Sequence, residues 1–532
     1  LRRWAGPNGN FLYQPHFFTL AFSFPFFRYS WLLVLLLAGC QSSPAPLRVT
    51  FVGDVLLARA VPAALAHDSA ALLRHTQTAW AGSRYIIGNL ECPLADTARP
   101  VAKRFVFRAD PRYAPWLRRL GLTHVSLANN HTLDQQLPGL CATARHLRAA
   151  GVGALGYRPD PATGCRPTLL GANSSVAVFA YSALTQKLPG EGCLCGRDFE
   201  ALCERLATYK TLFPQRAVLV YLHWGTEYAG QPSTEQRRQA RTLIDCGAAA
   251  VVGAHPHVVQ RMEFYHGRPI IYSLGNFIFD QSGHATDLTV QADFDIKDGE
   301  VRATHLRPWQ LVRAVPQPAT EVARAALAAR IRQLSPTVQL LEDEPTDGWQ
   351  LLPAATKPAP AAGPGYFARH LQLTDSAGPT ATVQVRYLPL ARQYEVRVQT
   401  PDGAEARLPV GSPLYRLTQG DVDNDGHPDL LLGPVKAARF DSTVQRRLFV
   451  YRLTAGRLVP RWLGTRLMYR LVYFKAIKVA RRTFVLTIEQ QPDGRYCLGR
   501  YYWQGFGLVL DHFPARNLSR EAAYLAFITT GL

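Results

Sequence analysis

The sequence predicts an α/β domain followed by a smaller, mostly β module. Three observations carry that division. From Leu47 to about Pro316 short apolar runs alternate with amphipathic stretches. Residues 353–365, "PAATKPAPAAGPG", then read as a Pro/Ala-rich linker. Beyond it, β-branched and aromatic runs are separated by turn signals such as Pro401-Asp402-Gly403 and Pro492-Asp493-Gly494.

Each element follows from its pattern. "LRVTFVGD", "YIIGNLE", "HVSLANNH", "SVAVFAYSAL", "AVLVYLHWG", "AAAVVGAHPH" and "PIIYSLGNFIF" read as buried strands with polar, often Gly-containing ends. Pro138 to Ala150 reads as a helix stopped by Gly151, and Thr320 to Leu334 as another, ending before Pro336. After the linker, "ATVQVRYLPL", "YEVRVQT", "RLFVYRLTAGRLVP" and "TFVLTIEQQPDGRYCLGRYYW" read as strands without a clean repeat period. The expected boundaries are 1–46 for a signal and tether, 47–316 for the α/β domain, 317–365 for helix and linker, and 366–532 for the β module.

The chain of 532 residues has 47% hydrophobic and 18% charged residues, a globular balance. Its 59 Lys and Arg against 39 Asp and Glu leave a net charge of +20, which suits an anionic partner. The charge is dispersed and no nucleic-acid motif accompanies it, so nucleic acid is not the expected partner.

Near the N-terminus, "YSWLLVLLLAGCQSSPAP" has the short apolar core of a secretion signal. Its Leu37-Ala38-Gly39-Cys40 ending resembles the bacterial lipobox, which implies cleavage before Cys40, its lipidation, and attachment to the cell envelope, periplasmic or at the surface. The other eight Cys suit an oxidising compartment. Cys193, Cys195 and Cys203 lack a second cluster at zinc-site spacing, so disulfides or buried thiols are expected there.

Polar residues gather where the apolar runs end: Asp54, Asn89, Glu91, Asn129 to His131, His223, Glu227, His255 and His257. Ligands of α/β folds bind at the carboxyl ends of strands, where such residues share one crevice. Imidazoles suit Zn, Mn or Fe and carboxylates suit harder ions, so the mixed set points to a catalytic divalent cation.

The motifs "GDVLLAR", "NLECPL", "SLANNHTLDQQLPGL", "LHWGTEY", "GAHPHVVQ" and "YSLGNFIFDQ" occur in the order found in the CapA capsule-synthesis family, associated with poly-γ-glutamate formation, which this region resembles. The resemblance implies a metallophosphatase-like α/β/β/α sandwich with one or two metal ions at the strand ends. By motif, Asp54, Glu91, Asn130, His223, His255 and His257 are the implied ligands, and His131 is the candidate general acid. Asp134 either orients His131 or caps the following helix. Trp224 and Tyr228 read as wall or core aromatics, while Asn276 and Asp280 are candidates to line the site. Two positions depart from the metallophosphatase pattern: Leu56 stands where a His is usual, and Asn89 where an Asp is usual.

In the β module, "DVDNDGHPD" places Asp421, Asp423, Asp425 and Asp429 with calcium-loop spacing and a Gly at the sixth position, but no twelfth-position Glu. It resembles the calcium loops of FG-GAP repeats, so Ca²⁺ is expected there. Together these readings predict an envelope-anchored, metal-dependent hydrolase acting on poly-γ-glutamate or a related anionic polymer. The rival readings are a phosphoesterase and a non-catalytic assembly factor.

Overall fold

The computed structural model describes residues 45–184, 188–283, 285–343, 346–354, 367, 370–375, 380–388, 393–438, 441–464 and 467–531. The signal and Cys40 lie outside the described residues, as does nearly all of the Pro/Ala-rich linker.

The first domain is built on two sheets. Its strands are β1 (Leu47–Val55), β2 (Tyr85–Leu90), β3 (His124–Ser126), β4 (Gly153–Leu155), β5 (Thr168–Leu170), β6 (Val176–Ser182), β7 (Ala217–His223), β8 (Ala250–Ala254), β9 (Met262–Tyr265), β10 (Arg268–Ile271), β11 (Asn276–Ile278), β12 (Leu288–Lys297), β13 (Glu300–Val312), β14 (Val315–Pro318), β15 (Val338–Asp343) and β16 (Gly348–Pro353). One sheet runs β15-β16-β13-β12-β1-β2-β3-β4, with β11 beside β1 and β14 beside β13; the other runs β5-β6-β7-β8-β10-β9. β1 to β4 are parallel, as are β6, β7, β8 and β10, so their carboxyl ends can supply one site.

The sheets face each other across a core that includes Val49, Phe51, Ile87, Val178, Leu219 and Val252. Helices Val61–Ala79, Tyr113–Leu120 and Gln136–Ala149 cover the outer face of the larger sheet, burying Leu65, Leu117 and Leu140. Helices Phe199–Leu212 and Thr234–Asp245 cover the smaller sheet. This is the expected α/β/β/α layering. Both faces of the central strands are covered, which explains their continuous apolar runs.

The helix Glu321–Leu334 begins with a Thr320 cap on the Ala323 N–H. Past the sequence boundary at Pro316, β15 and β16 extend the larger sheet, with Leu306 opposite Trp349. Leu327, Ile331, Trp349 and Leu351 complete the inter-sheet core, so this packing reaches beyond the helix to residue 351.

The β module contains three consecutive antiparallel sheets: His370–Thr374 to Glu405–Val410, Leu414–Gly420 to Arg457–Trp462, and Arg470–Val479 to Gly507–Leu518. A closing helix, Arg520–Thr529, follows. Module and first domain share a core: Leu202, Leu206 and Leu243 pack in one cluster with Tyr415, Tyr473 and Phe527. Arg416 donates to Glu204 at 2.7 Å across this junction and stacks over Tyr473. No described helix is long and apolar enough to cross a membrane.

Candidate metal centre

Local backbone chemistry brings each functional residue to the strand ends. At β1, a Cβ on Gly53 would fall 1.8 Å from the Gly275 carbonyl oxygen, so only glycine permits β1 and the turn before β11 to approach this closely. Asp54 follows directly, in register with Asn89 on β2 and Asn276 on β11. Gly253 repeats the device at the end of β8, where a Cβ would meet the Tyr272 carbonyl oxygen at 1.9 Å. It is followed by Ala254 and then by His255 and His257, which hold φ of +96° and +60°. Two non-glycine residues in that region, one residue apart, mark a turn shaped to aim side chains.

Asp54, Glu91, His223, His255 and His257 are all buried and lie together. His223 Nε2 is 3.4 Å from Glu91 Oε1, and His255 Nδ1 and His257 Nδ1 are each 4.0 Å from a Glu91 oxygen. His257 Nδ1 is also 3.3 Å from Asp54 Oδ2. The ligand atoms fall into two overlapping sets, Glu91 with His255 and His257, and Asp54 with Glu91 and His223. Glu91 belongs to both. Asn130 joins through its Oδ1, 2.8 Å from His223 Nε2.

Electrostatics agree with a cation-seeking site. Burial, then the Asp54 carboxylate, holds Glu91 well above the ordinary carboxylate range. Burial, reinforced by the neighbouring imidazoles, keeps His223 neutral, and burial followed by His257 lowers His255 to about 4. Burial opposes charge on His257 too, but Glu91 and Asp54 outweigh it and raise the ring. Both Glu91 oxygens and His255 Nδ1 are buried without a hydrogen-bond partner. Such atoms fit a divalent cation, since unpaired buried acceptors are costly and neutral imidazole nitrogen and carboxylate oxygen are its usual donors.

The two departures from the metallophosphatase pattern have clear structural places. Leu56 is fully buried in the core beneath the larger sheet's helices and contributes nothing to the site. Asn89 donates from Nδ2 to Asp54 Oδ1 at 2.8 Å, lies 3.1 Å from His223 Nδ1, and accepts from Asn129 Nδ2 at 3.1 Å. It orients two implied ligands where an acid would compete with them for charge. The shared carboxylate comes from Glu91 instead.

His131 sits at the edge of this cluster, its Nδ1 2.8 Å from Asp134 Oδ2. Asp134 is fully buried, pairs with Lys103 Nζ at 2.5 Å and accepts from the Phe107 N–H at 2.7 Å. Of its two sequence readings, the orienting one matches this geometry. The His131 ring stacks on Phe107 with centroids 4.2 Å apart.

Sequence reasoning missed Lys103, Phe107 and Arg59. Lys103 also donates to the Asn130 carbonyl oxygen at 2.8 Å and lies 3.3 Å from His131 Nδ1. Arg59 lies over Phe107 and Phe279 and pairs with Asp280; Phe279 in turn contacts His257. Their signal was weak, because Lys103 sits in an irregular stretch, "PVAKRFVFRAD", with no motif spacing. Asn276 does line the site, its Oδ1 2.8 Å from His257 Nδ1. Trp224 is a core residue donating to the Tyr272 carbonyl oxygen, whereas Tyr228 and Glu227 are exposed at the rim.

Away from this centre, Cys165 and Cys195 form a disulfide, while Cys193 and Cys203 are buried thiols. In the β module a basic side chain reaches into the expected calcium loop. Arg452 donates to Asp423 and Asp429 at 2.9 Å and also pairs with Asp425, while Arg461 reaches Asp423 at 2.9 Å. Asp421 accepts from the Asp425 and Gly426 N–H groups at 3.0 Å. Asp421, Asp423 and Asp425 lie close enough together to hold a cation, and the Arg452 guanidinium is shared by three of the four carboxylates.

Residues 48–281 match the family described as bacterial capsule synthesis protein PGA_cap. The chain is 27% identical over 291 residues to the capsule biosynthesis protein CapA of Bacillus anthracis, covering 52% of this chain and 70% of that protein. It is 26% identical over 287 residues to the PGA biosynthesis protein CapA of Bacillus subtilis (strain 168), covering 51% and 73%. A probable polyglutamine synthesis accessory protein of Mycobacterium tuberculosis is 28% identical over 214 residues, covering 37% and 55%. The strand-end motifs, the four-layer sandwich and these matches together make residues 48–281 a domain of the CapA capsule-synthesis family.

Proposed function

We propose that this protein is a metal-dependent hydrolase of capsule or exopolymer metabolism, acting on poly-γ-glutamate or a related anionic polymer. The observation that carries the reading is Glu91, a buried carboxylate without a hydrogen-bond partner, set among His223, His255 and His257. Glu91, His255 and His257 would hold one ion, and Asp54, Glu91 and His223 a second, with Asn130 beside His223. Mn, Zn or Fe suits this set, and the bound ion would supply Lewis-acid polarisation and water activation.

The chain's own groups supply the rest. Asp134 holds Nδ1 of His131, so proton delivery to a leaving group falls to Nε2. Phe107 stacks on that ring, and Lys103 pairs with the Asp134 that holds it. Arg59 and Lys103 add positive charge around the centre and favour an anionic substrate. The Leu37-Ala38-Gly39-Cys40 sequence supports tethering to a bacterial envelope membrane through a lipidated Cys40.

The test is elemental analysis of the full chain, followed by assays on poly-γ-glutamate and on phosphomonoesters. Stoichiometric metal, lost in Glu91→Gln, together with polymer turnover supports the reading. Turnover of phosphoesters alone would replace it with a phosphoesterase. Polymer binding without metal or turnover would replace it with an assembly role.

A further inference from the structure

Half of the chain's net positive charge lies at its C-terminal end. Residues 441–532 hold fifteen Lys and Arg, thirteen of them Arg, against five Asp and Glu, a surplus of ten within the total of +20. The last sheet arranges part of this charge on one face. Val485 pairs with Tyr501 and Leu486 with Arg500, which sets Phe484 beside Tyr502. Arg500 lies 4.6 Å from the centre of the Phe484 ring, and Arg482 lies 4.8 Å from that of Tyr502 and 5.9 Å from that of Phe484. On the neighbouring strand, Val509 pairs with Tyr502 and His512 with Arg500, carrying the face toward the sheet edge.

This end of the face is open. The closing helix covers the other end, where Phe527 packs on Tyr473 and beneath Lys475. Arg482 and His512 are exposed, and Val509 is 39% exposed. Arg500 is paired with Asp511 at 2.5 Å, but no described carboxylate lies within ion-pair distance of Arg482.

We propose that this Arg–aromatic face binds an extended polycarboxylate chain. Guanidinium groups supported on aromatic rings are pre-organised and offer paired N–H donors to carboxylates. The local surplus of positive charge supplies the complementary field. Single-stranded nucleic acid fits less well, because base stacking needs open aromatic faces and here guanidinium groups already lie over the rings. The inference rests on the polymer reading above for the identity of the chain, but not on the metal centre. It would give the β module the task of holding polymer while the α/β domain acts on it.

The test uses the full chain and fluorescently labelled poly-γ-glutamate, read by anisotropy at low and physiological salt. Arg482→Ala with Arg500→Ala should weaken binding about tenfold or more, and Arg482→Lys should restore it only in part, because bidentate geometry is lost while charge remains. Arg482→Ala alone, with no described acid partner to disturb, should weaken binding about threefold and leave the thermal melt unchanged. All of these measurements are made on metal-free protein, which does not turn the polymer over, so failure of hydrolysis and failure of this surface are separable. Unchanged affinity in the double variant overturns the proposal, as does tighter binding of an oligonucleotide of equal charge. Anionic phospholipid vesicles that bind at this face in preference to polymer would also overturn it.

Discussion

Two clusters of converging carboxylates differ in what satisfies them. Around Arg452, three Asp side chains share one guanidinium, and the Asp421 carboxylate accepts two backbone N–H groups. Around Glu91, the nearest partners are His223 and His255, held neutral by burial, the raised His257 ring and a second carboxylate, and both Glu91 oxygens lack a hydrogen-bond partner. Burying an acceptor without a partner costs roughly 1–3 kcal/mol, more for a charge. A fold that retains such a group at the meeting point of several strands does so for a partner it does not itself supply. Acidic spacing in a sequence therefore does not distinguish a cation site from an internal ion pair. The partners of each oxygen do.

The largest expected effect comes from removing the shared carboxylate. Glu91→Gln should lose both ions, with polymer turnover falling below about 1% of native, since one side chain serves both ligand sets. Its metal-free form should be at least as stable as the native metal-free form, because a costly buried acid is gone. A metal-free melt that drops sharply would show that Glu91 is structural. The mirror experiment is Arg452→Gln, which leaves Asp423, Asp425 and Asp429 crowded without their cation. It should destabilise the protein by about 3 kcal/mol in urea unfolding. Calcium should then raise the variant's melting temperature and leave that of the native chain unmoved. A native chain stabilised by calcium would mean that the ion displaces Arg452.

These two clusters also show how far the sequence could be read. The first was legible as a site because its residues recur at the ends of apolar runs in family order, and strand ends are where parallel sheets gather side chains. The missing acid at Asn89 was visible, but its role required knowing that Asp54 Oδ1 and His223 Nδ1 flank it. In the second cluster the spacing was legible and the Arg452 partner was not, because Arg452 lies on another strand and no local pattern links it to Asp421–Asp429. The four-layer order followed from the family resemblance. The threefold succession of antiparallel sheets in the β module was hidden, since its turns differ in length and chemistry and leave no sequence period. The shared core with helix Phe199–Leu212 was hidden too, because buried helix faces look alike whichever layer covers them.

Asn89 gives a smaller, signed test of the same contrast. Asn89→Asp replaces a donor to Asp54 with a carboxylate, so it should destabilise the metal-free protein by about 2 kcal/mol. Saturating metal should recover that loss and stabilise the variant more than the native chain, because an added acid ligand raises the differential affinity for the ion. Differential scanning with and without Mn²⁺ would read both terms. A loss that metal does not recover would assign Asn89 to the hydrogen-bond frame alone.

A third acidic grouping, on the same large sheet, serves as a control, because its charges are already matched. Arg48 makes a two-pronged pair with Asp295 at 2.7 and 2.8 Å, and His305 bridges Asp295 at 3.2 Å and Asp343 at 2.6 Å. Its hydrogen bond to Asp295 raises the His305 pKa against the opposing effect of burial. For Asp295, burial opposes ionisation, but hydrogen bonds from Arg48 and His305 prevail and hold it below the usual carboxylate range. A raised histidine contributes stability that is fully present below its unfolded value of about 6.5 and is lost as pH rises through the folded value. A depressed carboxylate contributes above about pH 4 and is lost as pH falls through its folded value. His305→Gln should therefore cost about 1 kcal/mol near pH 6, with the difference from native shrinking as pH climbs well above 6.5. Urea unfolding at pH 6 and pH 9, with and without metal, would check this. The effect should be indifferent to metal, unlike that at Asn89, because every carboxylate in this group already faces a cation of the chain.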